Sequence, residues 1–327
     1  MAKLGVTKDF LYNISGPRNS QHFLAAKNYF ESLLKTVVAT IAEKRELDVK
    51  DFKIYLQGPY ETGINIDAER NLEIVVELLK DQEENIKEVG LYKPKALTVA
   101  KDAFTRAGKR NQVYQSIYSL EDFKNEIANE LMEETNNNQM FLEPKSITFP
   151  KTKHSFLAAE ILPAFSFAKL ESTSEEDIYS LLIFDAVSKK HVLAYPKLHD
   201  KNISDKDRET AGYFKRLLRA TRILRTLMIQ NNILVPGEAP AYFVDCLMYN
   251  LPKEIWNTKP NASEAENLYF IYKKALNYLK NCNLSLFMCA HEQYRLFVRT
   301  SDGWDITKAR KFILLLIYLW QNLNLDI

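Results

Sequence analysis

The chain has 327 residues, 46% of them apolar and 26% charged, with 44 Lys and Arg against 42 Asp and Glu. That length and composition fit a globular protein with a core large enough for two lobes, and they exclude a disordered chain. A formal charge of +2 gives no global field of the kind that marks a nucleic-acid or membrane binder, so any anion site has to be local. No signal-peptide pattern is readable in the first ten residues. The most apolar run, Phe312 to Trp320, is too short to cross a bilayer, and no membrane partner is expected. Cys246, Cys282 and Cys289 lack CxxC spacing, so neither a disulfide framework nor a zinc site is expected, and the cytoplasm is the expected compartment.

In chain order, Phe23, Tyr29, Phe30, Leu33, Leu34, Val37 and Ile41 recur at helical spacing and predict a long amphipathic helix over 20–45. Phe52 to Leu56 alternates like a strand and ends at Gln57-Gly58-Pro59, with a short turn through Gly63. Leu72 to Leu79 is a second strand, apolar enough to be buried on both faces. A polar turn is expected over 80–90 and a helix over 118–135, closed by Asn136-Asn137-Asn138. Strands follow at 146–149, 156–161, 179–184 and 191–195. Beyond Pro196 the pattern turns helical, over 205–229, 238–250, 263–282 and 307–323. The expected architecture is α+β, with a sheet-containing lobe over 1–200 and a helical lobe over 201–327.

Three segments of the first lobe belong together chemically. Gly58-Pro59-Tyr60-Glu61-Thr62-Gly63-Ile64-Asn65-Ile66 stands where a phosphate-binding turn of the form G-S-Y-x-x-G-T-x-I would stand. Asn71-Leu72-Glu73-Ile74-Val75-Val76 stands where D-x-D and an apolar strand would follow. Ala159-Glu160-Ile161-Leu162-Pro163-Ala164 matches a later strand that supplies a third carboxylate. Carboxylates one residue apart on a strand point to the same side, and a third on a neighbouring strand completes a clamp for two divalent cations. A Gly-Ser turn that opens a helix offers N–H groups and a hydroxyl to a triphosphate.

Downstream, Tyr195-Pro196-Lys197-Leu198-His199-Asp200-Lys201-Asn202 is followed by Lys206, Thr210 and Tyr213-Phe214-Lys215-Arg216-Leu217-Leu218-Arg219. Then comes Ala241-Tyr242-Phe243-Val244-Asp245-Cys246-Leu247-Met248-Tyr249-Asn250-Leu251-Pro252. Together these segments resemble the bacterial cGAS/DncV-like nucleotidyltransferases (CD-NTases), over roughly residues 20–320 and in the family's order. The resemblance implies a polymerase-β-like nucleotidyltransferase core with a helical C-terminal lobe, as in cyclic GMP-AMP synthase and oligoadenylate synthase. It implies synthesis of cyclic di- or trinucleotides that switch on an effector in anti-phage CBASS systems. Nucleotides would lie between the lobes, which the helix at 20–45 would bridge.

The motif positions of this chain depart from that pattern. Pro59 has neither the hydroxyl nor the N–H of a serine, and Ile64 replaces a threonine. Asn71 is neutral. Glu73 and Glu160 keep their charge with about 1.5 Å of extra reach, where catalytic geometry is held within roughly 0.5 Å. A catalytically impaired or inactive nucleotidyltransferase is therefore expected. The alternative is an active synthase with Glu73 and Glu160 as ligands of Mg2+ or Mn2+, or with Asp67 or Glu69 moved in to replace the lost carboxylate. The resemblance assigns Gly58, Pro59, Lys206 and Lys215 to nucleotide binding. The ligands implied are nucleoside triphosphates or a cyclic nucleotide, with RNA or a protein as further candidate partners.

Other residues carry weaker signals. Lys215, Arg219 and Arg222 share a helix face and, with Arg216 and Arg225, read either as an anion-facing surface or as a solvated one paired to Asp205, Asp207 and Glu209. Lys101, Arg106, Lys109 and Arg110 read as an exposed basic segment. His199 reads as a structural hydrogen-bonding residue. Tyr242, Tyr249 and Trp256 read as packing aromatics, with base stacking as the alternative. Cys289 and His291 are too few for a metal site.

Overall fold

A computed structural model describes residues 6–17, 21–66, 71–79, 119–136, 139–152, 155, 157–169, 178–297 and 305–322. The expected 80–90 turn, Asp67, Glu69 and the basic segment from Lys101 to Arg110 lie outside the described residues. The chain divides into two compact units. One draws on Met1–Arg18, Glu61–Glu69 and His199–Ile327, the other on Asn19–Tyr60 and Arg70–Leu198. The first helix, α1 (Lys8–Ser15), which the residue pattern did not announce, belongs to the former.

The sheet unit contains α2 (Gln21–Lys44), β1 (Phe52–Gln57), the start of α3 (Pro59–Thr62), β2 (Asn71–Leu78), α4 (Leu120–Thr135), β3 (Phe141–Leu142), β4 (Ile147–Phe149), β5 (Ala158–Lys169), β6 (Ile178–Asp185) and β7 (Lys190–Ala194). The strand order is β1-β2-β5-β4-β3, and β6 pairs with both β5 and β7. The β2–β5 ladder is parallel, and the β1–β2, β4–β5 and β5–β6 ladders are antiparallel.

Period-two alternation gives the sheet two different faces. Leu72, Ile74, Val76, Leu78, Ile161 and Phe165 are buried on one of them. Helices α2 and α4 supply Phe30 and Phe123 to this unit's core, where Phe30 meets Phe149 edge-on at 5.4 Å and Phe123 stacks on Phe165 at 5.6 Å. Helix α4 is fixed at both ends. Ser119 and Asp122 form a capping box at its start, and Asn136 closes it in the left-handed region at φ 50°.

The helical unit contains most of α5 (Pro196–Glu209), then α6 (Tyr213–Gln230), α7 (Ala241–Tyr249), α8 (Glu264–Asn281) and α9 (Ile306–Asn322). The single helix expected over 205–229 is two. Gly212, at φ 84°, breaks it. The new start is capped from behind: Thr210 Oγ1 accepts from Phe214 N at 3.1 Å and Asp207 Oδ1 from Lys215 N at 2.8 Å. Helix α5 also begins earlier than expected, at Pro196, because proline suits a first helical position whose N–H would have no partner. Val6, Leu11 and Ile64 are buried in one cluster with Leu217, Leu224, Leu247, Tyr272 and Phe312.

Neither reading of the arginines on α6 survives. Arg219 and Arg222 point inward, because α6 is buried around much of its girth. Arg219 donates to Ser15 O and Gly63 O, each at 2.7 Å. Arg222 Nε donates to Asp245 Oδ1 at 2.9 Å, and the two residues are 2% and 1% exposed. Arg225 donates to Ala239 O. Arg216 pairs with Glu264 at 2.8 Å and lies 4.9 Å above the Tyr12 ring. Two of the three acids named as partners act elsewhere: Asp205 binds Lys201 and Arg208, and Asp207 caps α6.

Burial pushes the Asp245 carboxyl up, against the pull of Arg222. Removing one member of such a pair leaves a buried polar group unmatched. Arg222→Met is expected to lower the unfolding free energy by about 3–5 kcal/mol, and Arg222→Met with Asp245→Leu to recover most of it. Urea denaturation of the three proteins checks this, and equal losses in the single and double variants would contradict it.

Candidate functional site

The parallel β2–β5 register sets Glu73 opposite Glu160. Gln57 on β1 and Thr148 on β4 occupy the same row, opposite Glu73 and Glu160 respectively. With strands about 4.8 Å apart, the two glutamates leave the sheet as neighbours. Asn71, two residues before Glu73 and hence on the same face, opens β2 and is exposed.

The turn before α3 touches this row. Gly58 sits at φ 72°, and a Cβ built there would lie 2.5 Å from Glu73 Oε2 and 2.8 Å from Oε1. The left-handed backbone favours glycine, and the Glu73 carboxylate fills the space a side chain would take, so a replacement would have to push that carboxylate aside. Gln57 Nε2 reaches Glu73 Oε2 at 3.5 Å. Pro59 opens α3 without an N–H, and Tyr60 is held by parallel stacking on Phe23 at 5.1 Å. Ile64 is 1% exposed and buried in the apolar cluster of the helical unit, so its side chain faces no polar ligand. Glu160 accepts from Ser146 Oγ at 2.7 Å.

A two-cation clamp of this kind is built from hard oxygen donors, one or two carboxylates per cation, with phosphate oxygens and water completing the shell. Here Asn71 contributes no charge, one glutamate lies on Gly58 and the other is held by a serine. No group of three or more His, Cys, Asp or Glu arranged for a metal occurs among the described residues. Among the described residues, the row offers two charged oxygen donors, Glu73 and Glu160.

The two lysines lie on the helical unit, in different settings. Lys206 donates to Tyr249 O and, at 2.9 Å, to Leu251 O. Its ammonium lies 5.5, 4.9 and 6.0 Å from the ring centres of Phe214, Tyr249 and Trp256. Burial pushes its pKa down to about 8. Lys206 thus satisfies carbonyls at the end of α7, and Tyr249 and Trp256 serve as its walls. Lys215 is partly exposed, and its Nζ lies 3.4 Å from Ser204 Oγ.

His199 is buried, stacked on Tyr242 at 5.1 Å, and pushed down to about 3 by burial, so it is neutral at physiological pH. The sequence reading missed a buried carboxylate on the face that carries Glu73. Glu77 is 3% exposed, accepts from Ser166 Oγ at 2.5 Å, and lies 3.3 Å from Lys197 Nζ, which stands 4.3 Å above the Tyr55 ring. Its signal was available, since it follows Glu73 at an even spacing within an apolar strand.

The sheet unit thus sets two carboxylates level on adjacent parallel strands, next to a glycine turn. Residues 201–321 match the cGAS/DncV-like nucleotidyltransferase C-terminal helical domain. The chain is 26% identical over 275 residues to the cyclic UMP-AMP synthase of Rhodothermus marinus, covering 83% of this chain and 85% of that protein. It is 26% identical over 309 residues to the cyclic nucleotide synthase CdnE01 of Staphylococcus haemolyticus, covering 91% and 94%. The structure of Rhodothermus marinus CdnE c-UMP-AMP synthase with Apcpp and Upnpp superposes with a TM-score of 0.72 at 22% identity, over 98% of this chain and 99% of that one. Residues 201–321 thus carry the helical domain of that family, and along most of its length the chain is similar to bacterial cyclic nucleotide synthases.

Gly58→Ala is expected to cost about 2 kcal/mol or more, from the positive φ and the collision with Glu73. In a Glu73→Ala background the cost is expected to fall to the backbone part alone, about 1 kcal/mol. Denaturant unfolding of the four proteins in this cycle checks the coupling, and additive losses would show that Glu73 does not press on Gly58.

Proposed function

We propose that this chain is a catalytically impaired or inactive CD-NTase of a bacterial, cytoplasmic anti-phage system of CBASS type, one that holds a nucleoside triphosphate or a cyclic nucleotide. The observation that carries this reading is the Glu73 carboxylate pressed on Gly58. It places negative charge at the turn where a triphosphate would need hydrogen-bond donors. Pro59 removes one N–H from the same turn, and Asn71 removes a charge that a divalent cation would need.

What supports a retained ligand is of a different kind. The similar proteins are nucleotide synthases, and the similar solved structures from Rhodothermus marinus and Elizabethkingia meningoseptica carry nucleotide analogues or GTP. Lys215 is partly exposed. One observation favours the competing reading of an active synthase that uses Glu73 and Glu160: their shared register keeps two carboxylates adjacent.

Labelled ATP, GTP, CTP and UTP with Mg2+ or Mn2+ separate the two readings. No cyclic or linear product is expected. A product that disappears in Glu73→Ala establishes the active synthase instead. In the same buffers at least one nucleoside triphosphate or cyclic dinucleotide is expected to raise the melting temperature by several degrees at about a hundredfold excess over its Kd. No shift with any of them contradicts ligand retention.

A further inference from the structure

The helical unit brings together two cysteines that lie far apart in sequence. Cys246 is buried near the end of α7, and Cys289 is half-buried in the segment that follows α8. Asn250 clamps the two segments. Its Nδ2 donates to Cys246 O at 2.7 Å and to Met288 O at 2.8 Å, while its Oδ1 accepts from Met288 N at 2.9 Å. Ala290 N donates to Cys246 Sγ at 3.3 Å, and Asn202 Nδ2 holds Ala290 O at 2.7 Å. The segment is itself closed, with Met288 bridging Arg295 and Cys289 N donating to Tyr294 O at 2.9 Å. Because Ala290 directly follows Cys289, its bond to the Cys246 sulfur sets Cys289 beside Cys246, with Tyr242 and His291 as further neighbours of the Cys289 thiol.

We propose that Cys246 and Cys289 are a redox-modification site, at which a hydroperoxide converts the two thiols into a disulfide that ties α7 to the Met288–Arg295 segment. The nucleophile is Cys289. Hydrogen bonds from Cys246, and then from His291 and Tyr242, draw its thiol below the ordinary thiol range against the opposing effect of burial. Burial drives Cys246 up, so it keeps its proton and donates. The Cys289 thiolate attacks the distal oxygen of the peroxide. The O–O bond breaks, the leaving alkoxide or hydroxide takes a proton from solvent, and Cys289 becomes a sulfenic acid. Cys246 then loses its proton as its sulfur attacks Cys289. The S–S bond forms, and the sulfenic hydroxyl leaves with that proton as water. Two thiols are oxidised by two electrons and one peroxide is reduced. Such a bond in a reducing compartment is a transient, signalling type of disulfide and not a structural staple.

Cys282 is an internal control. It is half-buried, its Sγ donates to Leu279 O at 3.6 Å, and burial raises its pKa. The full chain is treated with one equivalent of hydrogen peroxide, quenched with N-ethylmaleimide and mapped without reduction. The expected result is a Cys246–Cys289 linked peptide that dithiothreitol reverses, with Cys282 carrying the label. In Cys246→Ala, dimedone is expected to label Cys289, and in Cys289→Ala no linked peptide forms. At pH 7 and before oxidation, iodoacetamide is expected to modify Cys289 at least about tenfold faster than Cys282. Maleimide on all three cysteines after peroxide treatment of the wild type, or a linked peptide containing Cys282, overturns the proposal. The wild-type result stands on its own if either variant fails to fold.

Discussion

Parallel pairing of β2 with β5 is the constraint on which the candidate site depends. Strands that run the same way cannot be joined by a hairpin, so the chain makes a long crossover before the second one is laid down. The register of that pairing puts Glu73 level with Glu160, and the antiparallel neighbours bring Gln57 and Thr148 into the same row. Shifting β2 by a single residue would turn Leu72 and Ile74 to the polar face and Glu73 into the aromatic core with Phe123 and Phe165. The apolar half of the strand therefore fixes where the charged half stands.

On that framework, the added length of a glutamate has a definite consequence. At position 73 it carries the carboxylate to the backbone of Gly58, which can accept it only because it has no side chain. A neutral Asn71 and an N–H-free Pro59 then remove charge and donors from the same neighbourhood. In the proposed reading, each of these features lowers the capacity to hold a cation and a polyphosphate together. In the helical unit the cationic side chains are mostly consumed by structure. Arg222 matches Asp245, Arg219 satisfies two carbonyls and Lys206 closes the end of α7. Lys215 is the contrasting case, partly open to solvent.

Much of this was legible in the sequence. The strand pair, the long α2 and the change to helices all followed from residue patterns, because apolar periodicity reports burial directly. Among the features that did not follow, three are instructive. The break at Gly212 was hidden because apolar spacing continues across it, while the capping that makes the break comes from Thr210 and Asp207. The burial of Arg219 and Arg222 was hidden because a basic helix face normally means solvent, and their partners Ser15, Gly63 and Asp245 lie on distant segments. The meeting of Cys246 and Cys289 was hidden because no spacing rule covers a contact set by Asn250 and Asn202 through tertiary hydrogen bonds.

The proposal most open to a direct test is that the Gly58–Glu73–Glu160 row does not hold divalent cations. Titration of Mn2+ followed by electron paramagnetic resonance, with a non-hydrolysable nucleoside triphosphate present, measures that capacity directly. The wild-type chain is compared with one carrying Pro59→Ser, Asn71→Asp, Glu73→Asp and Glu160→Asp. The account predicts tight Mn2+ binding by the restored chain, and for the wild-type chain no more than the nucleotide binds in buffer. Two protein-bound Mn2+ per wild-type chain, lost on Glu73→Ala, would contradict it.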